Sequence, residues 1–361
     1  MKMKKIISMM ICFSLLLFAV KVDINAEEKV SVTVGNTDVL STSMEGIKYE
    51  NGKLYLDNFT SSERLVIKGI DRLEIVVTGE NRIESDSRVP FSAINTHVTF
   101  SGGGKLSITN KTQSGVPALY YGNESGCGAC AIGMTVKDNT SVFVETNVKD
   151  GTAVLIGFNS DASKKDRGFF VKDGGRIIAR AKEGIAIDAD KINIDNGYVY
   201  AKGKKAGLYG GTITVENNGI VEAQARDYAI YSARMSVLSG SDVTTKADFY
   251  GTYIHNGDII VSGGKLTGIL TGNYEYANSS NYTLAICSLN DIDVNNGGMI
   301  IGKSEKKYSD CGVYAGRYIK QSSSSTIVAG ENCRIATTPL EIDFYEDLSS
   351  GESITVTEIL I

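Results

Sequence analysis

Between Val171 and Thr245 short aliphatic runs alternate with Gly, Asn and Asp turns, and one phrase recurs four times. Its copies are Val171-Lys-Asp-Gly-Gly-Arg-Ile177, Ile194-Asp-Asn-Gly-Tyr-Val199, Val215-Glu-Asn-Asn-Gly-Ile-Val221 and Val237-Leu-Ser-Gly-Ser-Asp-Val243. The closing aliphatics Ile177, Val199, Val221 and Val243 are 22 residues apart at each step. A fixed period of this size marks a stacked architecture, because one unit cannot bury its own apolar face without neighbours.

The same phrase extends both ways, as Val77 to Ile83, Phe100 to Leu106, Val136 to Val142, Ile260 to Leu266 and Val294 to Ile300. From Ile83 onward, the closing aliphatics are separated by 23, 36, 35, 22, 22, 22, 23 and 34 residues. The long intervals place insertions in otherwise equal turns, over residues 112–135, 150–168 and 271–281. Such loops on a rigid scaffold are where binding commonly resides.

A second phrase, small-aliphatic-X, keeps step with the first. It reads Ala93-Ile-Asn95, Ala118-Leu-Tyr120, Ala153-Val-Leu155, Ala186-Ile-Asp188, Gly207-Leu-Tyr209, Ala229-Ile-Tyr231, Gly251-Thr-Tyr253, Ala285-Ile-Cys287 and Gly312-Val-Tyr314. Two phrases in step predict an all-β coil of nine or more rungs with three strands per turn, inward aliphatics forming ladders about 4.8 Å apart. Asp173, Asp195, Asn217 and Ser239 share the spacing of 22 and predict a polar ladder at the turn.

Around this body, residues 1–26 have the form of a signal peptide: Lys2, Lys4 and Lys5, an apolar run to Val20, and a small-residue exit at Ala26. Alternating short runs with Asn51-Gly52 between them predict an N-terminal β cap over 27–60, the β-helix over 61–340 and a C-terminal β cap over 341–361. Composition agrees: 39 glycines and 18 tyrosines against 3 prolines and no tryptophan suit many short strands joined by turns.

The whole chain has 37 Lys+Arg against 42 Asp+Glu, net −5; without the leader's four lysines and Asp23 this becomes 33 against 41, net −8. That excess argues against nucleic acid or anionic lipid as partner. The expected place is outside the cell, secreted or surface-associated, with no transmembrane segment in the mature chain.

The stretch Gly184-Ile-Ala-Ile-Asp-Ala-Asp-Lys-Ile-Asn-Ile-Asp-Asn-Gly197 resembles the repeat of secreted bacterial carbohydrate-binding domains, right-handed parallel β-helices similar in structure to pectate lyases. The resemblance spans Val66 to Ile300, and repeat motifs specify fold better than ligand. It implies a single-stranded right-handed parallel β-helix, polysaccharide or cell-surface glycan as partner, and calcium as the one candidate cofactor, at Asp188 and Asp190. Other rungs carry Tyr for the first acid and Gly211 or Ala233 for the second, so one calcium site at most is implied.

Tyr120, Tyr209, Tyr231, Tyr253 and Tyr314 all occupy position X. With the middle aliphatic inward, strand alternation turns X outward. A column of tyrosines then offers rings with a polar edge to sugars or to a protein, or covers the sheet by self-stacking. Tyr198 and Tyr200 are weaker candidates on the adjacent strand.

An enzyme on acidic polysaccharide, a calcium-assisted lyase or a hydrolase, would draw on Asp188, Asp190 and Asp195 with Arg176 or Lys191. The chain has no Asp-Asp pair, no Gly-His-Gly and no Arg-Ile-Lys, and His97 and His255 are isolated, each expected at a surface or turn. These missing parts argue against catalysis. A purely structural adhesin or stalk is the other reading.

Cys127-Gly-Ala-Cys130 lies in an insertion, as a local disulfide or two thiols. Cys311 and Cys333 are 22 apart, but placing Cys333 at the end of a phrase Ile327 to Cys333 keeps them from stacking, and no bridge is expected.

Overall fold

The computed structural model describes residues 30–86, 88–111, 115–122, 132–157, 168–272, 283–305, 310–330 and 333–337. The leader at 1–26, the cap at 341–361, Cys127, Cys130 and most of the three insertions lie outside the described residues. All the strands lie in the compact unit Ser31–Ile361.

The chain is an all-β parallel β-helix, and its described residues contain no helix long and apolar enough to cross a membrane. Each turn contributes a strand to three sheets. The first sheet runs in parallel register from Leu65–Lys68 to Cys333–Thr337, the second from Lys53–Asp57 to Ile319–Gln321. The third is an unbroken eleven-stranded sheet from Thr60–Ser61 to Thr326–Ala329.

In the central turns the first two sheets share one long strand per turn: Ile185–Asp195, Ala206–Glu216 and Tyr228–Val237. The chain bends between them at Asp190, Gly211 and Ala233. There the inward-outward alternation slips: Ala189 is buried, and both Asp190 and Lys191 face out. An extended strand cannot enclose a core without such corners.

The first end is closed by antiparallel pairing. Ser31–Val34 runs against Leu65–Lys68, and Ile47–Glu50 forms a hairpin with Lys53–Asp57. Asn51 and Gly52 join the hairpin with φ of 50° and 76°, the left-handed pair that a two-residue turn requires. Lys53–Asp57 and Thr60–Ser61 already pair in parallel with the next turn, so the coil begins before Ser61.

Inside, the closing aliphatics form one ladder: Leu106, Val142, Ile177, Val199, Val221, Val243, Leu266, Ile300 and Ile327, all buried. Burying each such side chain contributes roughly 1.5–3 kcal/mol. Toward the first end the core holds aromatic rings, with Phe91 packed 5.7 Å from Phe100 and 6.2 Å from Tyr121 between centroids.

The register corrects the sequence alignment at its ends. Leu106 pairs with Asn81 and not with Ile83, so a buried asparagine holds the ladder position in the second turn. Asn81 is accommodated because its Oδ1 accepts from the Phe59 amide at 2.8 Å and its Nδ2 donates to the carbonyls of Thr78 and Lys105. The second phrase at that turn is Pro90-Phe91-Ser92 and not Ala93-Ile-Asn95, since Phe91 pairs with Leu119.

Val261, one residue after Ile260, is the ladder member, leaving Ile260 outward and 37% exposed. Ile327 closes the last phrase, so Cys333 opens the next strand, where it pairs with Asp310 while Cys311 pairs with Arg334.

The polar ladder also shifts. Asp195 pairs with Lys172, so the residue matching Asp173 is Asn196, and both have φ near 50°. Asn217 does donate from Nδ2 to Asp195 Oδ1 at 2.8 Å. The shorter turn at Ile194 displaces the polar residues by one, which a constant spacing of 22 conceals.

Candidate ligand-binding surface

Position X is one continuous column on the first sheet. Its register runs Ser92, Tyr120, Leu155, Asp188, Tyr209, Tyr231, Tyr253, Cys287, Tyr314 and Ala336. Tyr209, Tyr231 and Tyr253 occupy consecutive turns. Tyr120 is separated from them by Leu155 and Asp188, and Tyr314 by Cys287.

The three adjacent rings are stacked face to face, with centroids 5.0 Å apart for Tyr209 and Tyr231 and 5.7 Å for Tyr231 and Tyr253. A second column stands beside them. Tyr228 and Tyr250 stack at 4.9 Å and meet the first column edge-on, Tyr228 at 5.1 Å from Tyr231 and Tyr250 at 5.3 Å from Tyr253. His255 joins the array, its ring 4.8 Å from that of Tyr231, and is therefore not isolated.

Sequence alternation hides Tyr228 and Tyr250. Three residues before Tyr231 and Tyr253, they belong on the opposite face of a regular strand. Ala229 and Ile230 are both buried, so the alternation slips by one and turns Tyr228 out beside Tyr231. The visible signal is the pair Tyr228-Ala-Ile-Tyr231 and Tyr250-Gly-Thr-Tyr253, repeated at 22 residues.

Because the rings stack on one another, their flat faces are turned to their neighbours, and what the array presents outward is an edge of half-buried phenols. Burial raises the Tyr209, Tyr228 and Tyr250 phenols above their ordinary range and Tyr253 to about 12; neighbouring tyrosines add to it at Tyr209, Tyr228 and Tyr253, and Cys287 adds to it at Tyr250 and Tyr253. The hydroxyls thus stay protonated and keep both donor and acceptor capacity.

Asp188 ends the stack. Its register neighbours are Leu155 and Tyr209, its Oδ1 is buried with no hydrogen-bond partner among the described residues, and burial pushes the carboxyl up to about 6. Asp190 stands exposed at the corner toward the second sheet, with its carboxylate against Gly211. Among the described residues no three His, Cys, Asp or Glu side chains group so as to hold a metal ion.

The residues a lyase reading would combine are distributed over three sheets. Asp188 is on the first. Lys191 and Asp195 are on the second, where the Lys191 ammonium lies 5.5 Å from the Phe170 centroid. Arg176 is on the third, its guanidinium 4.4 Å from the Tyr198 centroid. Tyr198 also donates to Glu222 at 3.1 Å, and Tyr200 lies under Arg180, beside a groove of about 430 Å³.

His97 is 5% exposed, contrary to its expected surface place, with Nε2 2.8 Å from Thr135 Oγ1. Compared with protein-family models, curated proteins and solved structures, the chain matches none.

Proposed function

We propose that the chain is an extracellular, secreted or surface-associated β-helix without catalytic activity that binds polysaccharide or a cell-surface glycan through the outward positions of its strands. What carries the reading is the five-tyrosine array with His255, a rigid row of phenol edges on a regular scaffold. Sugars are rich in hydroxyls, and a preorganised row of donor-acceptor groups binds them at little cost in side-chain entropy.

The stacking itself favours a second reading, in which the array only stiffens the sheet of a structural stalk. A glycan array and polysaccharide pull-down comparing the unaltered chain with a Tyr209→Ala, Tyr231→Ala, Tyr253→Ala variant separates the two. Loss of sugar binding with the fold retained supports the glycan reading; binding that is absent or unchanged leaves the array a structural element.

A further inference from the structure

We propose that a notch on the second sheet, between Arg72 and Lys172, binds a doubly charged oxyanion, sulfate or phosphate, either free or carried as an ester on a larger molecule. The site is independent of the tyrosine array and lies on a different sheet.

Beside the cleft, two successive turns carry no side chain. One outward column of the second sheet reads Arg72, His97, Gly133, Gly168, Lys191 in successive turns. The side chains above and below lean over the two glycines: His97 Nδ1 lies 2.8 Å from where a Cβ of Gly133 would stand, and the Lys191 Cβ 2.9 Å from that of Gly168. A glycine inside a strand weakens it and marks a place of close approach. Here the backbone demands both: Gly168 has φ +132°, and a Cβ on Gly133 would lie 2.7 Å from the Gly168 carbonyl. The next outward column supplies Thr99, Thr135 and Phe170, and the one beyond supplies Lys137 and Lys172.

The cleft beside this column measures about 270 Å³ and is lined by Arg72, His97, Thr99, Thr135, Lys137, Phe170 and Lys172. Three of these are cations and none is an acid, in a chain whose net charge is −5. The acids around it stand outside the lining, among them Asp195, in register with Lys172. Glu74 is engaged at 2.7 Å by Lys53 and accepts from Ser101, while Asp138 and Asp173 lie at the turn, 2.9 Å from Lys137 and 4.0 Å from Lys172. Exposed pairs of this kind hold weakly, so both lysines remain able to turn toward an anion.

Geometry selects the ligand class. A carboxylate offers two oxygens in one plane, which a single arginine fork satisfies. Here Arg72 stands on one outward column and Lys137 and Lys172 on another, with Thr99 and Thr135 between them, so that cations flank the cleft on two sides, suiting a group with several charged oxygens. Thr99 adds a hydroxyl donor, and Thr135 adds a second when His97 Nε2 carries the proton of the bond between them.

The test is isothermal titration of the purified chain, at fixed ionic strength, with sodium sulfate, sodium phosphate, dextran sulfate and unmodified dextran. The expected result is binding of at least one sulfate- or phosphate-bearing probe and none of dextran. A Lys137→Ala, Lys172→Ala variant should lose about tenfold in affinity per lysine, as charge-assisted hydrogen bonds predict. Binding of the inorganic anions identifies the free ion as the ligand form, and binding of dextran sulfate alone identifies the ester.

The control removes two exposed lysines from one column of the third sheet, Lys202→Ala and Lys246→Ala. Equal weakening by the two pairs would show diffuse charge attraction and overturn the proposal, as would the absence of binding by every anionic probe. Thermal melts establish that both variants fold.

Discussion

The tyrosine array and the notch are two outcomes of the same repeat. On the first sheet, consecutive turns place like residues in register, and each ring finds its partner one turn away. On the second, consecutive turns at Gly133 and Gly168 place no side chains in register, and His97 and Lys191 lean over the glycines beside a cleft lined by Thr99, Thr135 and Phe170. In a stacked fold, repetition along a column lets side chains satisfy one another, while interruption exposes them. A column that repeats is a structural element first, and a column that fails to repeat is where a ligand finds room.

The contrast can be broken most sharply at Gly168. A Gly168→Ala change adds a Cβ 2.5 Å from the Lys191 carbonyl at a φ that L-residues rarely adopt. A loss of about 4 kcal/mol is expected from strain and clash together. Chemical denaturation measures it, and a near-neutral result would mean that the glycines are not required by the backbone.

Next comes position within the stack. Tyr231 has stacked neighbours on both sides, an edge contact to Tyr228 and a ring contact to His255, whereas Tyr209 stacks on Tyr231 alone among the described rings. With aromatic pairs contributing about 0.5–1.5 kcal/mol each, Tyr231→Ala should cost about 3 kcal/mol and Tyr209→Ala about 1. Equal costs in denaturant melts would contradict mutual stabilisation.

A smaller effect tests the end of the stack. The Asp188 carboxyl, raised from 3.8 to about 6 in the fold, holds its proton longer than in the unfolded chain, so stability falls as pH rises through that window. Asp188→Asn should therefore stabilise by about 1–2 kcal/mol at pH 7.5, after discounting for solvent screening, and by nothing measurable at pH 3. Melting temperatures at the two pH values decide it. Smallest of all, Lys137→Ala with Lys172→Ala should change stability by less than about 0.5 kcal/mol, since both lysines are exposed on one face of their pairs.

The coil was legible because its signal is redundant. Eight of the nine aliphatics identified as phrase closings, from Leu106 to Ile300, fall on one ladder, and position X is one column from Tyr120 to Tyr314. The misplacements occur where redundancy fails: at Asn81, where a polar residue replaces the aliphatic; at Val261, where the turn is one shorter; and at Cys333, where the pattern runs out. Each error is a shift of register, the quantity that spacing alone constrains least.

The amino-acid sequence by itself determined the class of fold, the period and the residues that share the tyrosine column, because inward aliphatics and left-handed turn residues recur at intervals only a stacked coil can use. Tertiary structure decided the rest. It turned Tyr228 and Tyr250 outward through an alternation slip, brought His255 onto Tyr231, separated Asp188, Asp195 and Arg176 onto three sheets, and set two glycines over one another between His97 and Lys191. Those outcomes depend on where each strand bends and how long each turn is. Residues from different turns meet only after every intervening corner has been placed.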